Sequence, residues 1–358
     1  MSSLAIAAPG RLQALRARYF GSVGNGVLTA ALITCVAVVA YPLLRWALVD
    51  AVWSGSAETC RGGNGACWAF VHEKMGFIFF GTYPREVLWQ AILATALISL
   101  PAIMSLIPRF WLPRLIPFWF ISLATAITLL SGGFGGSRVP TQQWGGFPLT
   151  LLLSVVGFAG AFPIGVILAF GRRSRMGLLR LLSVLFIEVV RGVPLIAVFY
   201  FFTLLFPLML PGGASIDKLL RTQVAIVLFV SAYIAEIIRA GLESVPAGQT
   251  EAAKSLGLTW LQTQRLVMLP QGLRAVIPAF VTLGIGIFLD TTLVIVIGLF
   301  DFLNTARAAA SDANWIGFYN EGYAVVAIVY FILAFGLSRY SLWLERYLRP
   351  AARTASSI

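Results

Sequence analysis

Five charged side chains stand out within apolar stretches of the chain: Glu188, Arg191, Glu236, Arg239 and Asp290. A charge facing lipid is costly, so each of these groups must face protein or a wet pathway if the surrounding stretch crosses a bilayer. Asp290 lies in "GIGIFLDTTLVIVIG", with Thr291 and Thr292 as polar neighbours. Glu188 and Arg191 are three residues apart, which places them on one helical face just before Pro194 breaks the helix. Two chemistries stay open for that pair. It is a structural ion pair, or it receives a zwitterion, with the acid taking an ammonium and the guanidinium a carboxylate. Glu236 and Arg239 repeat the spacing and read, with Pro194, as structural or gating positions.

Catalytic chemistry has little support. The chain has a single histidine, His72, three cysteines, and no HExxH or nucleophile motif, so neither a metal nor a catalytic site is expected. It also lacks a GxxxxGK[ST] phosphate loop: Lys74, Lys218 and Lys254 all follow residues other than glycine. Any ATP-driven process therefore requires another polypeptide.

The elements that position these charges are membrane helices. The chain is 59% hydrophobic and 11% charged, against about 25% charged residues in a soluble domain. Its apolar runs are continuous, which favours helices over barrel strands. Eight spans are expected, at about 27–49, 86–107, 115–131, 148–170, 181–210, 222–242, 275–299 and 322–344. The fifth contains Pro194 and Pro207 and is long enough to be two pieces; the third is short. The net charge of +12 reflects topology rather than nucleic-acid binding, because the basic residues gather in alternate short loops. Arg11, Arg16 and Arg18, then Arg109 and Arg114, then Arg172, Arg173, Arg175 and Arg180, and finally Arg346, Arg349 and Arg353 all fall on one side of an eight-span chain. That side is expected to be cytoplasmic, with both termini inside. The start of the chain lacks the order of a signal peptide and reads as an amphipathic tail.

The Gly/Pro-rich stretch "SGGFGGSRVPTQQWGGFP" (131–148) suggests a boundary. The expected organisation is a tail (1–26), a three-span module (27–147), a five-span module (148–350) and a C-terminal tail (351–358). Cys60 and Cys67 share an outer polar loop and form either a disulfide or two free thiols. Gly157, Ala161 and Gly165 recur every fourth residue, which suits close helix packing either within the chain or at a subunit interface.

One polar stretch remains, "ESVPAGQTEAAKSLGLTWLQTQRLVMLPQ" (243–271), held between two spans on the basic side. Ser244 is placed to cap a helix with Pro246 in its first turn, and Gly257 to end it. Thr259 with Gln262 has the form of a capping box for a second helix ending near Pro270. Ala252 and Ala253 present a small surface flanked by Glu251 and Lys254, which suits docking into another protein's groove.

"EAAKSLG" followed by "LPQGLRAVIP" resembles the EAA-type cytoplasmic loop of permease subunits of bacterial ABC importers. "EVVRGVPL" (188–195), "AYIAEIIRAGLESVPAGQTEAAKSLGL" (232–258) and "LDTTLVIVIGLFDF" (289–302) are similar to the polar amino-acid branch of that family. The resemblance implies an all-α polytopic membrane protein with a five-helix permease core and three additional N-terminal helices, a set resembling the general amino-acid subgroup. It implies that Glu251, Ala252, Ala253, Lys254 and Gly257 dock an ATPase and that Asp290 belongs to the substrate pathway. It also implies two ATPase subunits holding ATP and magnesium, a second permease subunit (a different chain, on this reading) and a periplasmic amino-acid-binding protein, all working at the bacterial inner membrane. Two positions depart from the pattern. Thr282 stands where asparagine is usual, and Leu289 where lysine is usual, which leaves Asp290 without an adjacent cation. The competing reading, an autonomous secondary transporter or channel for small polar solutes, would call for internal repeats, and the sequence shows none.

Overall fold

The computed structural model describes residues 11–211 and 216–348. The C-terminal tail (351–358) and residues 1–10 of the N-terminal tail lie outside the described residues. The chain divides into two compact units between Glu73 and Lys74.

In the first unit a short helix, α1 (Arg11–Phe20), precedes α2 (Val23–Leu44), which ends in a π turn at Arg45–Val49. Ser22 caps α2 by accepting from the Asn25 amide. None of the side chains of α2 is buried within the chain, as fits an apolar helix bathed in lipid. The loop beyond it is compact. α3 (Ala57–Arg61) carries Cys60, which is disulfide-bonded to Cys67 with the two Cα atoms 5.5 Å apart. The Trp68 indole donates to the Ala47 carbonyl at 2.7 Å, and Trp46 and Trp53 lie against its ring.

α4 (Trp68–Phe80) carries the chain into the second unit. α5 (Leu88–Ser105) and α6 (Leu115–Leu130) follow as an antiparallel pair. They meet through Ala94, Ile98 and Ala126, and the Ser122 hydroxyl donates to the Leu97 carbonyl at 2.6 Å. The core residues of this pair are continuous with those of the helices that follow. Contacts therefore divide the chain at Glu73 and Lys74, not in the glycine-rich loop at 131–148 where composition suggested a boundary. At 1.5 Å per residue the 16 residues of α6 reach about 24 Å, short of a full hydrocarbon core.

The remaining helices build the main bundle. α7 (Gly146–Arg172) packs along α11 (Lys218–Glu243), the most extensive helix pairing among the described residues. Gly157, Ala161 and Gly165 are all buried in this contact, and a Cβ at Gly157 or Gly165 would fall on Ile226 or Ile234. The small-residue stripe therefore serves packing within the chain. Between these helices the expected fifth span is two pieces. α8 (Gly177–Gly192) and α9 (Leu195–Tyr200) meet at Pro194, and the span bends there by 106° before continuing through a π turn into α10 (Phe206–Leu208). Pro194 N-caps α9; its missing N–H and fixed φ suit a helix start and weaken a continuous helix.

After α11 come α12 (Ala247–Ser255), α13 (Trp260–Thr263) and α14 (Leu269–Ala275), which form a polar hairpin. α15 (Ile277–Asp290) tightens into a 3-10 segment at Thr291–Ile297, α16 (Phe302–Ala309) is short, and α17 (Tyr319–Leu348) closes the described chain. Among the described residues six helices are long and apolar enough to cross a membrane. The bent pair makes a seventh, and α6 is a shorter apolar helix. This is the all-α polytopic architecture expected.

Candidate functional site

The hairpin forms because its sequence carries one stop signal and one start signal. Gly257 takes φ +76°, a left-handed conformation that ends α12 and turns the chain. Thr259 accepts from the Gln262 amide while the Gln262 side chain accepts from the Thr259 amide, so the capping box is complete. Two expectations are corrected here. Ser244 does not open α12: it sits at the C-terminal end of α11, its hydroxyl donating to the Gly241 carbonyl, and Pro246 is the N-cap of α12. Pro270 does not end the second arm either: a π turn at Gln264–Met268 carries the chain into α14, where Pro270 occupies the first turn.

The hairpin is anchored at its base by two glycines. A Cβ on either Gly241 or Gly272 would meet the other's backbone, so α11 and α14 touch main chain to main chain. Ala253 is buried, with its carbonyl accepting from the Leu258 amide, whereas Glu251, Ala252, Lys254 and Gly257 are exposed. Leu256, Trp260, Leu261 and Leu266 add exposed apolar surface to the same element. Ala253, expected to share the outer surface with Ala252, packs inside instead, and the hairpin presents Ala252, two charges and an uncovered apolar row. Between the hairpin and the end of α7 lies a cleft of about 910 Å³, lined by Phe170, Arg175, Lys254 and Trp260 among others.

Glu188 and Arg191 lie on one face, yet each pairs with a residue of another helix. Arg172, the last residue of α7, donates to Glu188 at 2.8 Å and lies 2.9 Å from Glu236. Arg191 reaches Glu236 at 3.4 Å and rests over the Tyr233 ring, 5.6 Å from its centroid. Arg239 joins Glu236 at 3.1 Å and donates to Glu243 at 2.6 Å. Glu236, with its side chain only 15% exposed, is the hub. Six charges, three of each sign, thus fasten α7, α8 and α11 together beside the bend at Pro194. Arg172, Glu243 and Tyr233 had not been singled out in the sequence. Arg172 reads there as one of a run of loop arginines, and only the fold brings it to a carboxylate sixteen residues away.

Asp290 occupies the junction where α15 gives way to the 3-10 segment. It is half-buried and has no hydrogen bond or ion pair among the described residues. Thr291 and Thr292 turn their hydroxyls back to the carbonyls of Phe288 and Leu289, so neither partners the carboxylate. α9 packs against the 3-10 segment, so the arm beyond the Pro194 bend and the stretch following Asp290 are neighbours. Asp301 is a second acid, unremarked in the sequence. Fully buried, it caps α16 by accepting from the Leu303 and Asn304 amides and receives the Tyr330 hydroxyl at 3.2 Å. Burial pushes its carboxyl above the ordinary carboxylate range despite these donors.

The described residues thus form a bundle of apolar helices, broken at one span, with a polar hairpin between two others. Residues 161–353 match the family described as "Binding-protein-dependent transport system inner membrane component", and the chain belongs to that family. It is 44% identical over 339 residues to the inner membrane amino-acid ABC transporter permease protein YhdY of Escherichia coli (strain K12), covering 93% of this chain and 91% of that protein. It is 34% identical over 409 residues to the glutamate/glutamine/aspartate/asparagine transport system permease protein BztC of Rhodobacter capsulatus, covering 95% of this chain and 94% of the relative. Among solved structures, a crystal structure of an amino acid ABC transporter with histidines superposes with a TM-score of 0.51 at 30% identity, over 56% of this chain and 92% of that one. The chain is therefore an ABC-transporter permease, a transport component rather than an enzyme.

Proposed function

We propose that this permease moves L-amino acids across the bacterial inner membrane by alternating access, driven by ATPase subunits that dock on the α12–α14 hairpin. The observation that carries this reading is the hairpin itself, fixed at its base by the Gly241–Gly272 contact and exposing Glu251, Ala252, Lys254 and Leu256. A solitary carrier or channel would have no use for such an element. ATP and magnesium belong to the ATPase partners, of which the working complex holds two. A second permease subunit, a different chain, completes the pathway, and a periplasmic amino-acid-binding protein delivers substrate to the face opposite the hairpin. Both termini lie in the cytoplasm, in keeping with the arginine-rich loops.

The substrate reading rests on the names of relatives that align along nearly their whole length. On this reading Asp290, with no ionic partner among the described residues, lines the pathway. Glu188 and Arg191, engaged through Arg172 and Glu236, hold the broken span in the conformation observed rather than receiving the zwitterion in that state. The test is Glu251→Lys in the assembled transporter. ATPase subunits are expected to co-purify about tenfold less, with uptake lost in proportion, while the permease stays folded. Unchanged ATPase recovery and uptake would sink the docking assignment.

A further inference from the structure

Arg172, Arg173, Arg180, Val184, Arg239 and Glu243 line a cavity of about 530 Å³ where α7 leaves the apolar region. Two of its four guanidiniums are spoken for. Arg172 and Arg239, together with Arg191, are matched one for one by Glu188, Glu236 and Glu243. Arg173 and Arg180 stand outside that neutral network, with no ionic partner among the described residues, and give the cavity two uncompensated positive charges. Beside it α8 exposes an apolar row, Leu178, Leu181, Leu182 and Leu185, on the same helix that carries Arg180.

We propose that this cavity binds the phosphate of an anionic phospholipid headgroup. Guanidiniums match phosphate oxygens with paired donors, and two unpaired ones call for an anion. The position at the end of a membrane span and the uncovered leucines of α8 favour a lipid over free phosphate: the headgroup enters the cavity while the acyl chains lie along α8. Basic pockets between membrane helices hold anionic headgroups by this chemistry. Arg173 also lines the cleft beside the hairpin, whereas Arg180 does not, and the lipid proposal draws on neither Asp290 nor the docking reading.

The test is native mass spectrometry of the full-length chain, extracted with the subunits that accompany it and titrated with phosphatidylglycerol or phosphatidylethanolamine. The wild type is expected to retain phosphatidylglycerol preferentially. Each arginine near an anionic lipid contributes roughly fivefold in affinity, so R173Q/R180Q is expected to weaken phosphatidylglycerol binding about twenty-five-fold and leave phosphatidylethanolamine unchanged. Arg180→Lys, which keeps the charge, is expected to retain most of the binding and guards against a folding artefact. Equal retention of both lipids, or a preference that survives the double substitution, would overturn the proposal. Displacement of the lipid by an equal concentration of inorganic phosphate would assign the cavity to a soluble anion and equally overturn it. So would loss of an accompanying subunit in the double variant with lipid preference intact, which would assign these arginines to a protein partner.

Discussion

Replacing Glu236 with glutamine probes the ionic hub most sharply. The side chain is 15% exposed and lies 2.9 to 3.4 Å from three guanidiniums on α7, α8 and α11. Glutamine keeps the shape and one acceptor but removes the charge. Arg172 then still has Glu188, and Arg239 still has Glu243; Arg191 is left with the Tyr233 ring. Truncating one partner of a fully buried pair costs about 3–5 kcal/mol, and hydrogen bonds to charged groups contribute about 1.5–3 kcal/mol each. Two of the three arginines keep alternatives, so the cost of E236Q should be about 2–3 kcal/mol. E243Q is the control. Glu243 is 56% exposed and pairs among the described residues with Arg239 alone, so its loss should cost about 0.5 kcal/mol. Thermal unfolding of the purified full-length protein, followed by helix content, should place E236Q roughly 5 °C or more below wild type and E243Q within about 2 °C. High salt should narrow the difference only slightly, because the hub is largely shielded from solvent. Equal, small effects of the two substitutions would refute the reasoning that Glu236 fastens three helices.

Two further outcomes are expected. Asp290→Asn should raise the KM for uptake about tenfold, the loss of one charge-assisted contact, with normal membrane levels; unchanged kinetics for both cationic and neutral amino acids would remove Asp290 from the pathway. Asp301 should make stability depend on pH. Its folded-state pKa lies above the ordinary 3.8, so its contribution is fully present below 3.8 and is lost as pH rises through the raised value. Asp301→Asn, which preserves the helix cap, should flatten that slope; an unchanged profile in unfolding measurements across acid and neutral pH would assign the dependence to other groups.

What the sequence revealed and concealed follows from the range of the interactions. Continuous apolar runs mark the spans within a few residues, and the Thr259–Gln262 box and Gly257 are local signals that fold as written. Pro194 marked the break but not its 106° angle, which depends on what α8 and α9 pack against. Long-range partners stayed hidden. Glu188 and Arg191 are matched in charge and spacing, yet the fold supplies Arg172 and Glu236 at closer quarters than their own helix face offers. Pro270 reads as a terminator because proline in a helix interior costs a hydrogen bond, yet the chain continues from a π turn into α14 around it. The run of β-branched residues after Asp290 gave no hint of its 3-10 winding. The division at Glu73 was likewise invisible, since it depends on α5 and α6 sharing a core with later helices rather than on the composition of any loop.

The most direct measurement of the central claim is uptake into proteoliposomes of the complex that co-purifies with this chain, with a labelled L-amino acid, its binding protein outside and ATP trapped within. Accumulation that requires ATP, together with recovery of an ATPase and a second permease chain, is the predicted result. Transport by this chain alone, unaffected by removing ATP, would contradict it.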